Sequence, residues 1–452
     1  MNGTIAERLE RWRQRQFTHL AGFSPVTLSG RLLRINGMLL QCCLPQARIG
    51  ELCRVQAGSN AWILAEVIAC DQQDATLSAL ASLEGISAGA AVERLGAVHQ
   101  VRVGNDLLGQ VLDGFGRPLA GGDGGGFSWR PCEEANAVVC EAPLPTQRPR
   151  IGRALPTGVR AIDGLLTLGE GQRVGLFAGA GCGKTTLLAE IARNVECDVI
   201  VFGLVGERGR ELREFLDHEL DEGLRGKAVL VCATSDRTSM ERARAAFTAT
   251  ALAEGFRRKG RRVLLLIDSL TRFARAQREI GLAAGEPLGR GGLPPSVYSL
   301  LPRLVERAGL TREGSITAFY TVLIEQDSMG DPVADEVRSL LDGHIVLSRK
   351  LAERGHYPAI DVLGSLSRIL SNVAAPEHMQ NMAAFRRLLS AHQQIELLLR
   401  LGEYQAGNDA LTDLAVESRQ RVEAFLRQDL REPATFQETL EHLSELTAHV
   451  PF

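Results

Sequence analysis

The sequence predicts an α/β protein with a small N-terminal β-barrel and a C-terminal helical domain, and three observations lead to this division. Short apolar runs between residues 30 and 82 are separated by Gly, Asn, Pro and Asp, which is typical of a barrel of short strands. From about 160 to 370, continuous apolar runs alternate with stretches of helical period, which indicates a parallel sheet covered on both faces. After residue 376 only the helical period remains. The predicted domains are residues 1–90, 91–372 and 373–452.

The composition limits the classes of function. Apolar residues make up 45% of the 452 residues and charged residues 23%, which excludes a globally disordered chain. The net charge of −3 argues against a surface that broadly contacts nucleic acid, and we expect no nucleic-acid partner. The sequence has no run of 18 apolar residues and its first residues lack the apolar core of a secretory signal. We therefore expect a cytoplasmic chain.

The sharpest local pattern is the run A-G-A-G-C-G-K-T-T, which follows the apolar segment R-V-G-L-F-A and precedes a stretch of helical period. Strand, glycine-rich loop and helix are the context of a phosphate-binding loop, because convergent backbone N–H groups and the helix dipole attract phosphate oxygens. The first position of that pattern is alanine here, and the glycine that follows can take up the required backbone conformation. The predicted nucleotide-binding residues are Ala178, Gly179, Ala180, Gly181, Cys182, Gly183, Lys184, Thr185 and Thr186.

Three side chains of this loop have predicted properties. Lys184 should reach the β- and γ-phosphates of ATP, and the Thr185 hydroxyl should bind Mg²⁺. Of the 51 basic residues only four are lysines, so the alternative interpretation, a chance lysine in a glycine-rich turn, is improbable. Cys182 lies near Lys184 and the helix N-terminus, and both features increase thiol reactivity. Its alkylation is therefore expected to block nucleotide binding, with an inert small residue as the alternative.

Two acidic residues end apolar segments and are candidates for the chemistry. Asp268 ends R-R-V-L-L-L-I-D, and ligands bind at the carboxyl ends of parallel strands, so Asp268 is predicted to hold Mg²⁺. The alternative is a helix-capping aspartate. Glu207, in V-G-E-R-G-R-E, is placed to polarise the attacking water, with Arg208 as a phosphate or interface contact. Taken alone, the second motif could also be the start of a charged helix.

Long strings of sequence resemble the ATPases of type III protein secretion systems. They include L-I-D-S-L-T-R-F-A-R-A-Q-R-E-I-G, P-P-S-V-Y-S-L-L-P-R-L-V-E-R-A-G and L-D-G-H-I-V-L-S-R-K-L-A-E-R-G-H-Y-P-A-I-D, together with the two motifs above. The resemblance covers about residues 25–400 and extends to the flagellar export ATPase and, more distantly, to the catalytic subunit of rotary ATP synthases. It implies a RecA-like P-loop ATPase core that uses ATP and Mg²⁺.

The resemblance also implies roles that composition and spacing cannot supply. Lys184, Glu207 and Asp268 match the family's phosphate, catalytic and metal-holding residues. Arg368, in G-S-L-S-R, resembles the arginine that a neighbouring subunit inserts to stabilise transition-state charge, and Tyr357 resembles the aromatic that stacks on adenine. A structural ion pair and a buried core tyrosine are the respective alternatives. The implied partners are five further copies in a homohexamer, central-stalk and stator proteins, and chaperone–substrate complexes, with peripheral docking at the inner-membrane face of the secretion apparatus.

Two segments depart from the family's sequence pattern, and three alternative functions remain to be weighed. The segments 285–295 and 324–332 differ from the family's usual pattern, and we expect both to lie in loops that face the ring centre; the differences leave partner contacts open and do not affect the nucleotide chemistry. The nearest rival is the flagellar export ATPase, against which the string R-I-G-E-L-C favours the secretion branch. A non-catalytic ring subunit would lack the glutamate at position 207. A nucleic-acid translocase similar to the terminator Rho would need a basic, aromatic N-terminal domain, which the sequence does not have.

Overall fold

A computed structural model describes residues 29–58, 61–119, 135–324, 330–407 and 409–450, together with three residues before position 14. The chain divides into two compact units, Met1–Val98 and His99–Phe452. The predictions for residues 121–126, for most of residues 1–20 and for most of the segment 324–332 concern parts of the chain outside the described residues. No helix in the described part of the chain combines the length and apolar composition that crossing a membrane requires.

The first unit contains a closed barrel of six antiparallel strands in the order β1-β2-β5-β4-β3-β6. Alternate side chains point inward, so a small apolar core that includes Leu40, Val55 and Leu77 fills the barrel. The predicted barrel is confirmed, but its sixth strand lies wholly beyond the predicted boundary at residue 90, because closure of the barrel needs that strand to pair with both β1 and β3. The strands are β1 (Ser29–Asn36), β2 (Leu39–Cys43), β3 (Glu51–Ala57), β4 (Ala61–Cys70), β5 (Asp74–Ala79) and β6 (Ala91–Val98).

The second unit is built on a nine-stranded, mainly parallel sheet in the order β17-β16-β10-β15-β13-β11-β12-β8, with β14 paired to β15. Its central strands are buried along almost their whole length, as the continuous apolar runs predict. A separate pair is formed by β7 and β9. The strands are β7 (Gln100–Arg102), β8 (Val111–Asp113), β9 (Ala135–Ala137), β10 (Arg173–Ala178), β11 (Val199–Glu207), β12 (Ala228–Thr234), β13 (Arg262–Asp268), β14 (Gly309–Leu310), β15 (Ser315–Leu323), β16 (Gly343–Leu347) and β17 (Ile360–Ser367).

Helices connect these strands, as expected for parallel strands that need crossover connections. The longest of the connecting helices, α5, is almost entirely buried. The helices up to residue 373 are α1 (Arg160–Leu165), α2 (Lys184–Asn194), α3 (Gly209–Glu214), α4 (Glu222–Lys227), α5 (Ser239–Arg258), α6 (Leu270–Ala283), α7 (Pro295–Val305), α8 (Pro332–Leu340), α9 (Arg349–Glu353) and α10 (Leu370–Val373). Segment 285–295 precedes α7 and contains only one short 3₁₀ turn, Arg290–Gly292, so the predicted loop is present there.

The C-terminal part of the second unit is helical, as predicted. Its first helix, α11, buries Met382, Phe385 and Leu388. Phe385 packs against Phe425 with ring centroids 5.3 Å apart, and both belong to the core that the sheet and its helices share. This shared core joins the C-terminal helices to the nucleotide-binding part of the unit. The helices are α11 (Pro376–Leu401), α12 (Ala410–Glu417), α13 (Arg419–Leu426) and α14 (Phe436–Thr447).

Candidate active site

The predicted phosphate loop lies between β10 and α2. Ala178 is the last residue of the strand, and its carbonyl accepts a hydrogen bond from the Ile324 backbone N–H at 3.1 Å. Gly181 and Gly183 have φ values of +80° and +81°, which residues with a Cβ rarely adopt. Helix α2 begins directly afterwards, at Lys184. The loop geometry therefore requires glycine at two of the predicted positions and directs the N-terminus of α2 into the site.

Strand order brings the predicted charged residues together. Lys184 follows β10, whereas Glu207 and Asp268 end β11 and β13, and parallel strands place all three at the carboxyl edge of the sheet. The Lys184 Nζ lies 2.5 Å from Asp268 Oδ1 and 3.9 Å from Glu207 Oε1. Residues separated by up to 84 positions in sequence thus form one compact cluster.

Asp268 is held in place by its neighbours. Its side chain is buried, and its Oδ1 accepts hydrogen bonds from Lys184 and, at 2.7 Å, from the Thr321 hydroxyl on β15. Ser269, the next residue, caps α6 by accepting a hydrogen bond from Arg272. The helix-capping alternative for Asp268 is therefore wrong, because Ser269 occupies that position. Thr321 was missed in the sequence, where it is one polar residue in an apolar strand.

Glu207 is less completely paired than Asp268. Its Oε2 lies 3.1 Å from the Arg272 guanidinium, which also donates to the Gly206 carbonyl. Its Oε1 is buried and has no hydrogen-bond partner among the described residues. Burial and the negative charge of Asp268 raise the pKa of Glu207 to about 7, and the Lys184 and Arg272 cations only partly oppose this shift. A carboxylate with this pKa can accept a proton near neutral pH.

A cavity of about 480 Å³ lies beside the phosphate loop. Its lining includes Gly181, Cys182, Gly183 and Thr186 together with Tyr357, whose side chain is 46% exposed. The buried-core alternative for Tyr357 is therefore wrong, because nearly half of the residue is accessible. The segment between α13 and α14 completes the lining with three residues that sequence reasoning missed, Gln428, Asp429 and Leu430.

Cys182 is only 2% exposed, although it lines this cavity. Its thiol contacts the Ala180 carbonyl at 4.0 Å. Burial limits the access of alkylating reagents. The expected block of nucleotide binding by alkylation remains a prediction that depends on such access.

Two predicted catalytic residues have side chains that do not join this cluster. The Arg208 side chain is 77% exposed and pairs with Glu211 on α3. Arg368 follows β17, which is antiparallel to β16, so Ser367 lies level with Gly343 at the amino edge of the sheet. Arg368 is therefore at the opposite edge from the phosphate loop of its own chain. Within one chain, the structure does not bring it to Lys184.

The oxygen donors at the carboxyl edge suit Mg²⁺. This ion takes one or two protein ligands, with nucleotide phosphates and water completing the octahedron. Thr185, the second residue of α2, is exposed, and the Asp268 carboxylate lies next to the ammonium of the preceding residue, Lys184. Among the described residues no group of three or more His, Cys, Asp or Glu could hold a metal by itself. The donor set thus fits a metal that binds together with the nucleotide.

A phosphate loop on a parallel sheet, with acidic residues ending two further strands at the same edge, defines a P-loop nucleoside-triphosphate hydrolase. The nucleotide-binding domain of the ATP synthase alpha/beta family matches residues 158–367, and the C-terminal domain of the type III secretion ATPase EscN matches residues 374–445. The chain belongs to the family of type III secretion system ATPases.

Relatives and solved structures support this assignment over nearly the whole chain. The type 3 secretion system ATPase of Pseudomonas syringae pv. tomato is 64% identical, over 98% of this chain and 99% of the relative. The flagellum-specific ATP synthase of Bacillus subtilis is 45% identical, over 93% of this chain and 95% of that protein. The structure of the assembled ATPase EscN from enteropathogenic E. coli matches with a TM-score of 0.86 and 45% identity, over 92% of this chain and 100% of that chain. Fold class and ATPase activity predicted from the sequence are therefore confirmed.

Proposed function

We propose that this chain hydrolyses Mg-ATP at the carboxyl edge of its sheet and that a ring of six copies uses the energy to drive secreted proteins into a type III secretion apparatus. One observation carries the catalytic part of this proposal. The Lys184 ammonium lies between two buried carboxylates, those of Asp268 and Glu207, directly after a phosphate loop. In this arrangement the Lys184 ammonium and the Glu207 carboxylate would both lie next to a phosphate bound in the loop.

Each residue has a distinct role in the proposed reaction. The backbone N–H groups of the loop and the Lys184 ammonium bind the phosphates, because they offer positive charge where the transition state becomes more negative. Glu207 orients the attacking water and accepts its proton at Oε1, the oxygen without a hydrogen-bond partner among the described residues. Arg272 holds the other carboxylate oxygen of Glu207. Tyr357 offers its exposed ring face to the adenine.

Mg²⁺ would be held by the Thr185 hydroxyl and the Asp268 carboxylate, and it would neutralise charge on the phosphate oxygens. Asp268 keeps its orientation through the hydrogen bond from Thr321. The Lys184–Asp268 contact gives the aspartate a positive neighbour before any metal arrives. These two contacts support Asp268 as the metal-holding residue.

Assembly into a ring supports the remaining roles. Arg368 is exposed at the amino edge of its own sheet, so it can act only in the site of a neighbouring subunit. Arg208 is also exposed, and we propose it as a contact at the interface between subunits. EscN has been solved in complex with its central stalk EscO, and that structure covers 92% of this chain at 44% identity. We extend a central-stalk partner to this chain by that likeness. Stator proteins, chaperone–substrate complexes and peripheral docking at the inner membrane complete the proposal, which includes no nucleic acid.

The proposal is tested with Lys184→Ala and with wild-type protein over a range of concentrations. Lys184→Ala should fold normally and lose nearly all ATPase activity, and normal turnover would contradict the assigned site. Wild-type activity per subunit should rise as dilute subunits assemble, because each site needs the arginine of its neighbour. Analytical ultracentrifugation measures assembly at each concentration. Full activity in a monomer would contradict the arginine in trans.

A further inference from the structure

Arg368 is oriented mainly by its backbone. Its side chain is exposed, and its guanidinium makes one hydrogen bond in the described structure, to the Arg338 carbonyl at 3.3 Å. Its backbone N–H, by contrast, donates to the Asp342 carbonyl at 2.9 Å. The preceding residue is fixed too, because the Ser367 hydroxyl donates to the Thr167 carbonyl and accepts from Gln172 Nε2. Whatever fixes Asp342 therefore sets the point from which the Arg368 side chain extends.

Asp342 is fixed by Arg173, the first residue of β10. The Arg173 Nε and Nη2 atoms donate to the two carboxylate oxygens of Asp342, each at 2.9 Å. The backbone N–H of Arg173 donates to the same carboxylate at 3.1 Å, and the Asp342 N–H donates to the Arg173 carbonyl at 2.9 Å. Bidentate charged pairs of this kind are strong and geometrically specific. The side chains are 15% and 25% exposed, so water screens the pair only in part.

The same strand carries the phosphate loop at its other end. Strand β10 runs from Arg173 to Ala178 and pairs on both sides, with β15 and β16, so it is a stiff central element of the sheet. This one short strand therefore connects the loop to Arg173, and the Arg173–Asp342 pair continues the connection to the segment that carries Arg368.

We propose that the Arg173–Asp342 ion pair positions Arg368 for the neighbouring subunit and links that position to the phosphate loop of its own subunit. This inference rests on the proposed function, in which Arg368 acts in trans. Asp342 and Arg173 touch neither nucleotide nor reacting atoms in this arrangement. They are positioning residues that act through the backbone of Arg368.

The first experiment compares Asp342→Asn with wild type. The amide keeps the size of the side chain and the backbone carbonyl but removes the charged pair. A misplacement of about 1 Å can cost about 10²-fold in rate, so kcat for ATP should fall by about that factor. The KM for ATP should stay within about twofold, because the subunit's own phosphate loop is intact. Asp106→Asn, which breaks an exposed Arg–Asp pair elsewhere in the same unit, is the matched control and should be silent.

The decisive experiment uses mixed rings. Two variants are co-expressed with different affinity tags and purified through both tags, so that every ring contains both. In a head-to-tail ring, Asp342→Asn subunits next to Glu207→Gln subunits should regain up to about a quarter of wild-type activity, because the Glu207→Gln subunit supplies a well-placed Arg368. Rings of Asp342→Asn with Arg368→Ala should regain none, because neither variant supplies that arginine. Arg173→Gln, which breaks the pair from the other side, should repeat both results.

The outcomes separate the inference from the function on which it rests. Rings of Glu207→Gln with Arg368→Ala are the reference, and failure of these rings to regain activity would contradict the action of Arg368 in trans itself. If that reference works but Asp342→Asn regains activity with Arg368→Ala and not with Glu207→Gln, Asp342 acts within its own subunit and the inference is wrong. Rescue by neither partner would contradict the inference as well. Wild-type kcat in both Asp342→Asn and Arg173→Gln would also overturn it. Circular dichroism and thermal melting of each variant distinguish a folding defect from a loss of position.

Discussion

The two edges of the parallel sheet arrange their charges in opposite ways. At the carboxyl edge, one ammonium is shared by two carboxylates, and Glu207 Oε1 has no hydrogen-bond partner in the described part of the chain. At the amino edge, Arg173 binds Asp342 through two donors, and Arg307 binds Glu254 through two donors at 2.9 Å and 2.5 Å. At the first edge a buried carboxylate oxygen is left for a ligand, whereas at the second both oxygens of Asp342 and of Glu254 are paired with arginine.

This difference shows that buried charge alone does not identify a functional site. Arg307 is completely buried, more so than Lys184 or Glu207, and yet its carboxylate partner and the Val138 carbonyl account for its guanidinium. A buried charged pair with complete hydrogen bonding fixes a geometry. A buried carboxylate with an unused oxygen and a raised pKa can take part in proton transfer. Substitutions of Glu207 and of Arg307 should therefore affect different quantities.

The largest expected effect is at the carboxyl edge. Glu207→Gln should lower kcat by roughly 10²–10⁴-fold, the usual contribution of a positioned general base. It should not lower the melting temperature, because the amide removes a carboxyl that burial and Asp268 already disfavour in its ionised form. Steady-state ATPase assays and calorimetry measure the two quantities, with Glu214→Gln on exposed α3 as a silent control. Loss of stability without loss of turnover would reverse the comparison.

The buried Arg307–Glu254 pair should respond in the opposite sense. Arg307→Met leaves Glu254 buried without its bidentate partner, which typically costs about 3–5 kcal/mol of folding stability. The midpoint of denaturant unfolding should fall accordingly, while kcat of the folded fraction at low temperature stays close to wild type. The exposed pair Arg102–Asp106 gives the contrast, since Arg102→Met should cost about 0–1 kcal/mol. Equal losses of folding stability in the two variants would show that the buried pair contributes no more than the exposed pair.

The pH dependence sharpens the role of Glu207. Because burial and the charge of Asp268 raise its pKa to about 7, the group loses its proton as the pH rises through that value. The base is therefore available above pH 7, and kcat/KM should fall about tenfold for each pH unit below it. Glu207→Gln should lack this dependence. A wild-type profile that is flat between pH 6 and pH 8 would exclude Glu207 as the titrating base.

A smaller effect is expected further from the phosphates. Tyr357→Ala removes the ring that borders the cavity beside the loop, and base stacking on an aromatic ring is worth about 1–3 kcal/mol. The KM for ATP should rise by about 5- to 150-fold with little change in kcat. Tyr357→Phe keeps the ring and should behave as wild type. If Tyr357→Ala binds ATP normally, the adenine lies elsewhere.

The sequence by itself determined the local features of this protein. The phosphate loop, the strand ends at Glu207 and Asp268, the barrel, the buried parallel strands and the C-terminal helices follow from short-range spacing and apolar periodicity. Such signals are contained in a few consecutive residues. They therefore remain readable without knowledge of which strands are neighbours, and the family resemblance added the roles of Tyr357 and Arg368.

Only the tertiary structure decided which of these features meet. The order β10-β15-β13-β11 brings Thr321 and Lys184 to Asp268, and the closure of the barrel assigns the strand Ala91–Val98 to the first unit. The same applies to the pair of Arg173 and Asp342, which are 169 positions apart. These contacts depend on strand order and register, which many long-range interactions fix together. No single stretch of sequence contains that information.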